Sequence, residues 1–338
     1  MKESAENTAD MEGAVEAGSA VDPLDRRIIA ALQVNGRAGW RQIAAVIGAP
    51  ERTVAAHGAE LIRSGLVRIA AFTPLPKGGA LEQTLVNLRC RPGMSRVVAS
   101  AAADRADTVF TFLTTGEIDC VFEVIGDRAR MRPMLLDELP ALPGATNIDT
   151  STVIELYKAA HQWLPGILTA EQVSALRDRA QAWEPPGTVE LPALSREELE
   201  IVRILTADGR ATVEELARVT ALSAASARRR LAQLQASGRL FIRAVVEPAV
   251  LGFPVDAILR IRTDPGSTDR LARILKEAPE IRYLAFTTGR YQLFAEIACT
   301  SHSALTAFLF REDWTAFARE VDTSLVIEAV KRSGIRAG

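Results

Sequence analysis

The 338-residue sequence is poor in the groups that catalysis and metal binding most often use: three histidines and three cysteines, Cys90, Cys120 and Cys299. An odd cysteine count with no Cys-x-x-Cys pair argues against a disulfide scaffold or a zinc site and for a reducing compartment. There is no GxxxxGK[ST] phosphate loop, no HExxH and no GxSxG, so nucleotide, metalloprotease and hydrolase chemistry have no support. No catalytic residue is assigned, and no cofactor or metal is expected. No apolar run reaches the ~18 residues of a membrane span. The first 20 residues lack an apolar stretch as well. Glu3, Glu6, Asp10, Glu12 and Glu16 against Lys2 read as a disordered acidic tail rather than a secretory signal. Aromatics are only 5% of residues, and Trp40, Trp163, Trp183 and Trp314 are scattered, as packing residues are. These absences leave a soluble cytoplasmic chain with no membrane partner. Its length exceeds what one core usually serves.

Charge is divided unevenly. Residues 22–71 and 194–243 each carry a net +3, which with a total of −2 leaves −8 for everything else. Two basic modules on an acidic body fit a chain that meets a polyanion in two places.

The chain also repeats itself. An offset of 173 carries Gly36-Arg37-Ala38 onto Gly209-Arg210-Ala211, Ser64-Gly65 onto Ser237-Gly238, and Gly79 onto Gly252. It carries Pro92-Gly93 onto Pro265-Gly266, Thr114-Thr115-Gly116 onto Thr287-Thr288-Gly289, and Asp149-Thr150-Ser151 onto Asp322-Thr323-Ser324. One constant shift without a gap marks a tandem duplication, with units near 21–158 and 194–331. A connector, 159–193, is expected to hold a helix from Thr169 to Trp183, stopped by Glu184-Pro185-Pro186-Gly187. Whether the units pair with each other or with a second chain stays open.

In the second unit, Leu199, Val202, Ile204 and Leu205 mark a helical stripe ended by Asp208-Gly209. Thr212 and Glu215 form a capping box before a short helix, and Ser223 caps a third helix with Ala227, Leu231 and Leu234 facing inward. Leu240–Val246 alternates as a strand. Three helices and a β wing describe a winged helix-turn-helix over 194–248, and a second over 21–72. On the third helix Ala225, Ser226, Arg229 and Gln233 lie opposite the core, flanked by Arg228 and Arg230, and with the cap Ser223 they are the DNA-facing candidates. Five arginines and no acid between Ser223 and Arg243 suit an element laid in the major groove of double-stranded DNA. The first unit departs here. Pro50 opens its third helix, Val54 and Leu61 face inward, Gly58 replaces Leu231, and His57 replaces Arg230 as a surface or groove residue. Arg52 and Thr53 are its DNA-facing candidates, diluted by Glu51 and Glu60, so the first head is expected to hold DNA more weakly.

After each head the pattern is βαββαβ. In the first unit the strands are Thr84–Arg89, Val109–Leu113, Cys120–Ile125 and Ile148–Leu156. One helix runs through Val97, Val98 and Ala101, and another is capped by Asp127 with Met131, Met134 and Leu135. In the second the strands are Ala257–Arg262, Tyr283–Thr287, Leu293–Ala298 and Ser324–Val330, with helices near 267–277 and 302–313. The fold class is α+β: two winged helix-turn-helix domains alternating with two ferredoxin-like domains at 80–158 and 253–333.

Asp208-Gly209-Arg210, Leu222-Ser223, Ser237-Gly238 and Leu251-Gly252 resemble the head of the Lrp/AsnC (feast/famine) transcriptional regulators. The ferredoxin-like half, with its turn Thr115-Gly116-Glu117-Ile118-Asp119, resembles their amino-acid-sensing domain. The resemblance implies sequence-specific DNA binding, self-association through the sensing domains into a homo-oligomer, and a small amino-acid-like effector near that turn. Thr115, Gly116, Glu117 and Asp119 are its candidates in the first unit, and Gly289 and Gln292 in the second, where Gln292 replaces the acid. A carboxylate at 119 suits an effector ammonium group. A group of similar fold decarboxylates tetrapyrroles of the siroheme type with a histidine–tyrosine pair near the second sensing strand. Here Tyr283 lies in that region, but no histidine falls in Asp107–Leu113 or Ile281–Thr287. The remaining alternative is a ligand-binding or assembly protein whose heads no longer read DNA.

Overall fold

The computed structural model describes residues 21–73, 81–177 and 194–336. The acidic tail, the connector beyond Arg177 with Trp183 and the Pro-Pro-Gly stop, and Gly79 lie outside the described residues. The first head contains α1 (Pro23–Val34), α2 (Trp40–Ile47) and α3 (Glu51–Arg63), followed by the wing strand β1 (Arg68–Phe72). Asp22 starts α1 by accepting the Leu24 amide at 2.8 Å, with Pro23 in the first turn, where its missing N–H costs nothing. The first sensing half follows as β2 (Leu81–Cys90), α4 (Ser95–Asp104), β3 (Thr108–Thr114), β4 (Cys120–Asp127), α5 (Arg128–Pro133) running into a π-turn at Met134–Glu138, and β5 (Ala145–Lys158).

The connector contributes α6 (Ala170–Leu176), closed at its start by the Thr169–Gln172 capping box. It ends earlier than expected: Arg177 turns extended, and the Asn35 side-chain amide donates to the Leu176 carbonyl at 3.2 Å. Gln172 in turn donates to the Val46 carbonyl at 2.9 Å, so the connector is fastened to the first head. The second unit repeats the plan with α7 (Arg196–Ala207), α8 (Val213–Thr220), α9 (Ala224–Ala236), β6 (Phe241–Val245), β7 (Val255–Thr263), α10 (Thr268–Glu277), β8 (Ile281–Thr287) and β9 (Leu293–Cys299). There follow α11 (His302–Leu309), α12 (Glu312–Thr315), β10 (Ala318–Arg332) and the short β11 (Ile335–Arg336). The expected helix near 302–313 is thus two helices.

The two units pair with each other inside one chain. β1 and β6 form a two-stranded ribbon in which Ala70 faces Arg243, its own counterpart at offset 173, so a pseudo-twofold axis passes through the ribbon. The last strand of each sensing half is longer than its hydrophobic alternation indicates, and it serves two sheets in turn. β5 pairs with β2 from Ala145 to Thr152, then with β8 from Val153 to Lys158. β10 pairs with β7 from Ala318 to Leu325, then with β3 from Val326 to Lys331. Val153 opposite Thr287 and Val326 opposite Thr114 are the same contact made twice. The eight long strands close into a ring, which leaves no exposed sheet edge between them. The helices pack outside it. An aromatic cluster including Phe110, Phe112, Tyr283 and Phe294 fills part of its inside.

The heads are also joined reciprocally. The Gly36 amide donates to the Ile242 carbonyl at 2.9 Å, and the Gly209 amide to Ile69 at 2.8 Å. A Cβ at either glycine would lie within 3.0 Å of wing backbone atoms, so only glycine permits the approach. Arg37 donates to the carbonyls of Gly209 and Ala211, and Arg210 to those of Gly36 and Ala38.

Three expectations shift. Ile201 and Leu205 are the buried residues of α7, while Leu199 is 54% exposed, about 200° of helical rotation away from Ile201. Val97 in α4 is likewise exposed, and Val98, Ala99 and Ala102 face the sheet. Gly58 does not empty the first head's core. A Cβ there would collide with the six-membered ring of Trp40, which fills the space, and Arg210 stacks its guanidinium 4.4 Å from the Trp40 ring centre. Offset 173 places Val213 at the position of Trp40, so the two heads hold a large–small and a small–large pair. Gly58→Leu should therefore lower the melting temperature measured by circular dichroism, since overpacking a filled site costs about 1–3 kcal/mol. Adding Trp40→Val should recover part of that loss. A double variant no more stable than Gly58→Leu would contradict the exchange.

Candidate functional site

Three places gather functional side chains. The first is the outer face of α9. Ser223 caps it by accepting the Ser226 amide at 3.2 Å, and Ala227, Leu231 and Leu234 are buried. Ala225, Arg228, Arg229 and Gln233 are exposed and Ser226 is half-buried, so the residues expected to face DNA share one accessible surface. Not all of the five arginines are free to reach out. Arg230 donates to the Ser195 hydroxyl at 3.2 Å and lies 3.8 Å from Glu197, which ties it to α7. Arg243 is buried in the wing and donates to the carbonyls of Gln33 and His161. Burial there pulls its guanidinium down to about 10. Arg228 and Arg229 hold no ion pair among the described residues. In the first head Arg52 is exposed and Thr53 half-buried on α3. His57 binds Asp25 at 2.7 Å, and Glu60 neutralises Arg63.

The second place is the pair of turns after β3 and β8. Gly116 and Gly289 have φ of +92° and +97°, a region that glycine enters without strain. The Thr115 amide donates to the Leu325 carbonyl, and its hydroxyl accepts from the Leu325 amide, both at 2.9 Å. Thr288 does the same with Thr152. Each repeated Thr-Thr-Gly turn is therefore fastened to the residue that follows the Asp-Thr-Ser motif of the other half. Asp119 closes its turn by accepting the Cys90 amide at 2.7 Å, and Gln292 accepts the Thr263 amide at 3.0 Å in the same way. The acid and the amide are equivalent as turn closers and differ in charge. Thr115, Gly116, Glu117 and Gly289 remain exposed, and Glu117 pairs with Arg89 at 2.8 Å.

The third was not found from the sequence. A cavity of about 790 Å³ lies between the wing ribbon and the inside of the strand ring. His161, from the connector, lines it, stacked on Phe72 and Phe241, and burial holds its imidazole neutral by lowering its pKa to about 3. Tyr283 lines it from β8 and donates to Glu123 at 2.6 Å. A search confined to the strands misses His161 because the chain brings it in from the connector. The signal for Glu123 and its counterpart Glu296 was present: an acid interrupts the apolar runs Val121–Ile125 and Phe294–Ala298 at offset 173.

Burial raises Glu123 from an ordinary 4.5 to about 7. Between those pH values the native state keeps a proton that the unfolded chain releases, so this group removes stability as pH rises. Below 4.5 it has no effect, and above 7 the loss is complete, on the order of 3 kcal/mol. Glu123→Gln should therefore gain stability over the parent progressively from pH 4.5 to 7 in urea titrations. A difference independent of pH would contradict this.

The AsnC-type helix-turn-helix domain matches residues 21–56 and again 198–235, and the Lrp/AsnC ligand binding domain matches 256–335. The HTH-type transcriptional regulator FL11 of Pyrococcus abyssi is 30% identical over 141 residues, 41% of this chain and 92% of the relative. The regulator Ptr1 of Methanocaldococcus jannaschii is 35% identical over 99 residues, 29% of this chain and 67% of its own. In fold, the crystal structure of the siroheme decarboxylase NirDL covers 93% of this chain and 94% of its own with a TM-score of 0.58, at 14% identity. One matched head in each repeat unit and a relative aligned over nearly its whole length agree: the chain belongs to the Lrp/AsnC family, as a tandem pair of that family's two-part unit.

Proposed function

We propose that this protein is a DNA-binding transcriptional regulator of the cytoplasm in which the second head makes the stronger contact and a small amino-acid-like effector acts through the sensing halves. The observation that carries the reading is α9: a Ser223-capped helix with its apolar stripe buried and Arg228, Arg229 and Gln233 exposed on one face. The first head presents Arg52 and Thr53 beside the exposed acids Glu51 and Glu60, which supports its weaker role. For the effector, the exposed first turn with Gly116, Glu117 and Asp119 is the acidic member of the pair, and the second, with Gly289 and Gln292, carries the exposed cation Arg290 instead. Association between chains is supported by Ile327, 67% exposed on β10; its counterpart at offset 173, Ile154, is 59% exposed but borders the cavity. Among the described residues no helix is long and apolar enough to cross a membrane.

Tyr283 and His161 share the cavity, which is what a tetrapyrrole decarboxylase would need. Its charge speaks against that use. Among the described residues Asp107, Glu123, Glu155 and Glu296 line it; Asp107 is paired with Arg105 and Arg130, and the lining arginine, Arg332, is held by Glu247, Asp256 and Glu296. A substrate bearing several carboxylates would find no unengaged arginine among the described lining residues.

The test is a mobility-shift titration on the DNA upstream of the protein's own coding region. Arg229→Ala should weaken binding by about 1–3 kcal/mol if it reads a base edge, or reduce the salt slope by about 1 if it meets a phosphate. Arg230→Ala, already tied to α7, should cost less. Equal losses, or no loss from Arg229→Ala, would refute the assignment. In the same preparation Asp119→Asn keeps an acceptor for the Cys90 amide and removes the charge, so it should abolish calorimetric binding of an amino acid while the fold stays intact. Unchanged affinity would move the effector elsewhere.

A further inference from the structure

The two halves treat their equivalent buried glutamates differently. Glu296 is 3% exposed and ion-paired to both Arg282 and Arg332, with Asp256 joining the cluster. Offset 173 places Val109, Ala159 and Gln83 where the second half has Arg282, Arg332 and Asp256. Both cations are therefore missing around Glu123, yet the carboxyl remains, 1% exposed. It receives the Tyr283 hydroxyl at 2.6 Å and the Gln83 amide at 3.3 Å, and no cation pairs with it among the described residues. A buried carboxyl without a counter-charge is costly, and hydrogen bonds alone offset part of that cost.

This carboxyl lines the cavity between wing and ring. At about 790 Å³ the space falls within the range of small-molecule sites. Its walls are aromatic on the ring side, with Phe110, Phe112 and Phe286; of its acids, Asp107 is paired with Arg105 and Arg130 and Glu296 with Arg282 and Arg332, whereas Glu123 has no counter-cation among the described residues. The hydroxyl of Thr108, 2% exposed and also lining the cavity, has no hydrogen-bond partner among the described residues. Exposed Thr73, Ala106 and Gly334 mark its rim. Arg332, the lining cation, is spent on three acids of the second half.

We propose that this cavity is a second small-molecule site, separate from the turns, that takes an arylalkylamine: its ammonium group meets the Glu123 carboxylate and its ring lies among the phenylalanines. An amine supplies the missing cation that Arg282 and Arg332 supply to Glu296. An amino acid would bring its own carboxylate beside Glu123, where the lining arginine, Arg332, is already held by three acids, so the site discriminates against the zwitterion. Because Glu123 ionises near neutral pH, amine binding draws off its proton and strengthens from pH 6 to pH 8.

The experiment is isothermal titration of the full chain, without DNA, with tryptamine and phenethylamine, and with tryptophan and indole-3-acetate as comparators. The expected result is that an amine binds and both carboxylate-bearing comparators are weaker by at least about tenfold, or 1.4 kcal/mol. Glu123→Gln, which keeps an acceptor for Tyr283, and Ala106→Trp, which narrows the exposed rim, should each weaken the amine by a similar factor. Binding by neither amine, equal binding of indole-3-acetate, or unchanged affinity in both variants overturns the proposal. DNA binding with no amine binding would leave the regulator reading standing, and amine binding by a chain that shifts no DNA would leave this site standing.

Discussion

The structure depends on one antiparallel contact made twice. The second part of β5 lies on β8 and the second part of β10 lies on β3, so neither half completes its own sheet edge. An unpaired edge exposes a row of backbone donors and acceptors that will pair with any available strand. Closing the ring within one chain satisfies both edges. It also buries the inner face, where the aromatic cluster and the charged groups of the cavity sit. The turns that carry Thr115 and Thr288 fasten the two crossings, and the wing ribbon and the reciprocal Arg37 and Arg210 contacts fasten the heads. A pair that separate identical chains would form by association is here held by a covalent connector, which raises the effective concentration of one half around the other.

Covalent fusion changes what the sequence is free to do. In a dimer of identical chains every substitution appears on both sides of the axis. Here each side drifts alone, and the compensations cross over. Trp40 with Gly58 in one head answers Val213 with Leu231 in the other. Glu296 keeps two arginines, while Glu123 keeps a tyrosine hydroxyl and an amide. α9 keeps exposed arginines, while α3 places His57 on Asp25 and Arg63 on Glu60. Asymmetry of this kind allows one half to specialise while the other maintains the shared barrel.

Much of this is legible in the sequence. The constant offset located both units, and capping residues such as Ser223 and Thr212 placed helix starts because they act on backbone within one turn. The α+β class followed from the alternation of helical and strand periods. What stayed hidden depends on contacts distant in sequence. β5 and β10 run past their apolar alternation mostly at their starts, where Ala145–Asn147 and Ala318–Thr323 pair within their own halves, and the switch of each strand to the other half leaves no mark in the alternation. Leu199 and Leu205 look alike in a list of apolar residues, and only the neighbouring helices decide which is buried. Gly58 read alone signals a lost side chain, since the ring that replaces it comes from another helix. The cavity was illegible for the same reason: wing, connector and both sensing halves each supply part of its wall.

The central claim is that the two halves complete each other within a single chain. Val153 and Thr287 face each other across the β5–β8 crossing, close enough for a disulfide in that register. In a Val153→Cys, Thr287→Cys variant oxidised over a range of protein concentrations, the account predicts a cross-linked monomer at every concentration. Covalent dimers whose share grows with concentration would show that the crossing is made between chains and would contradict it.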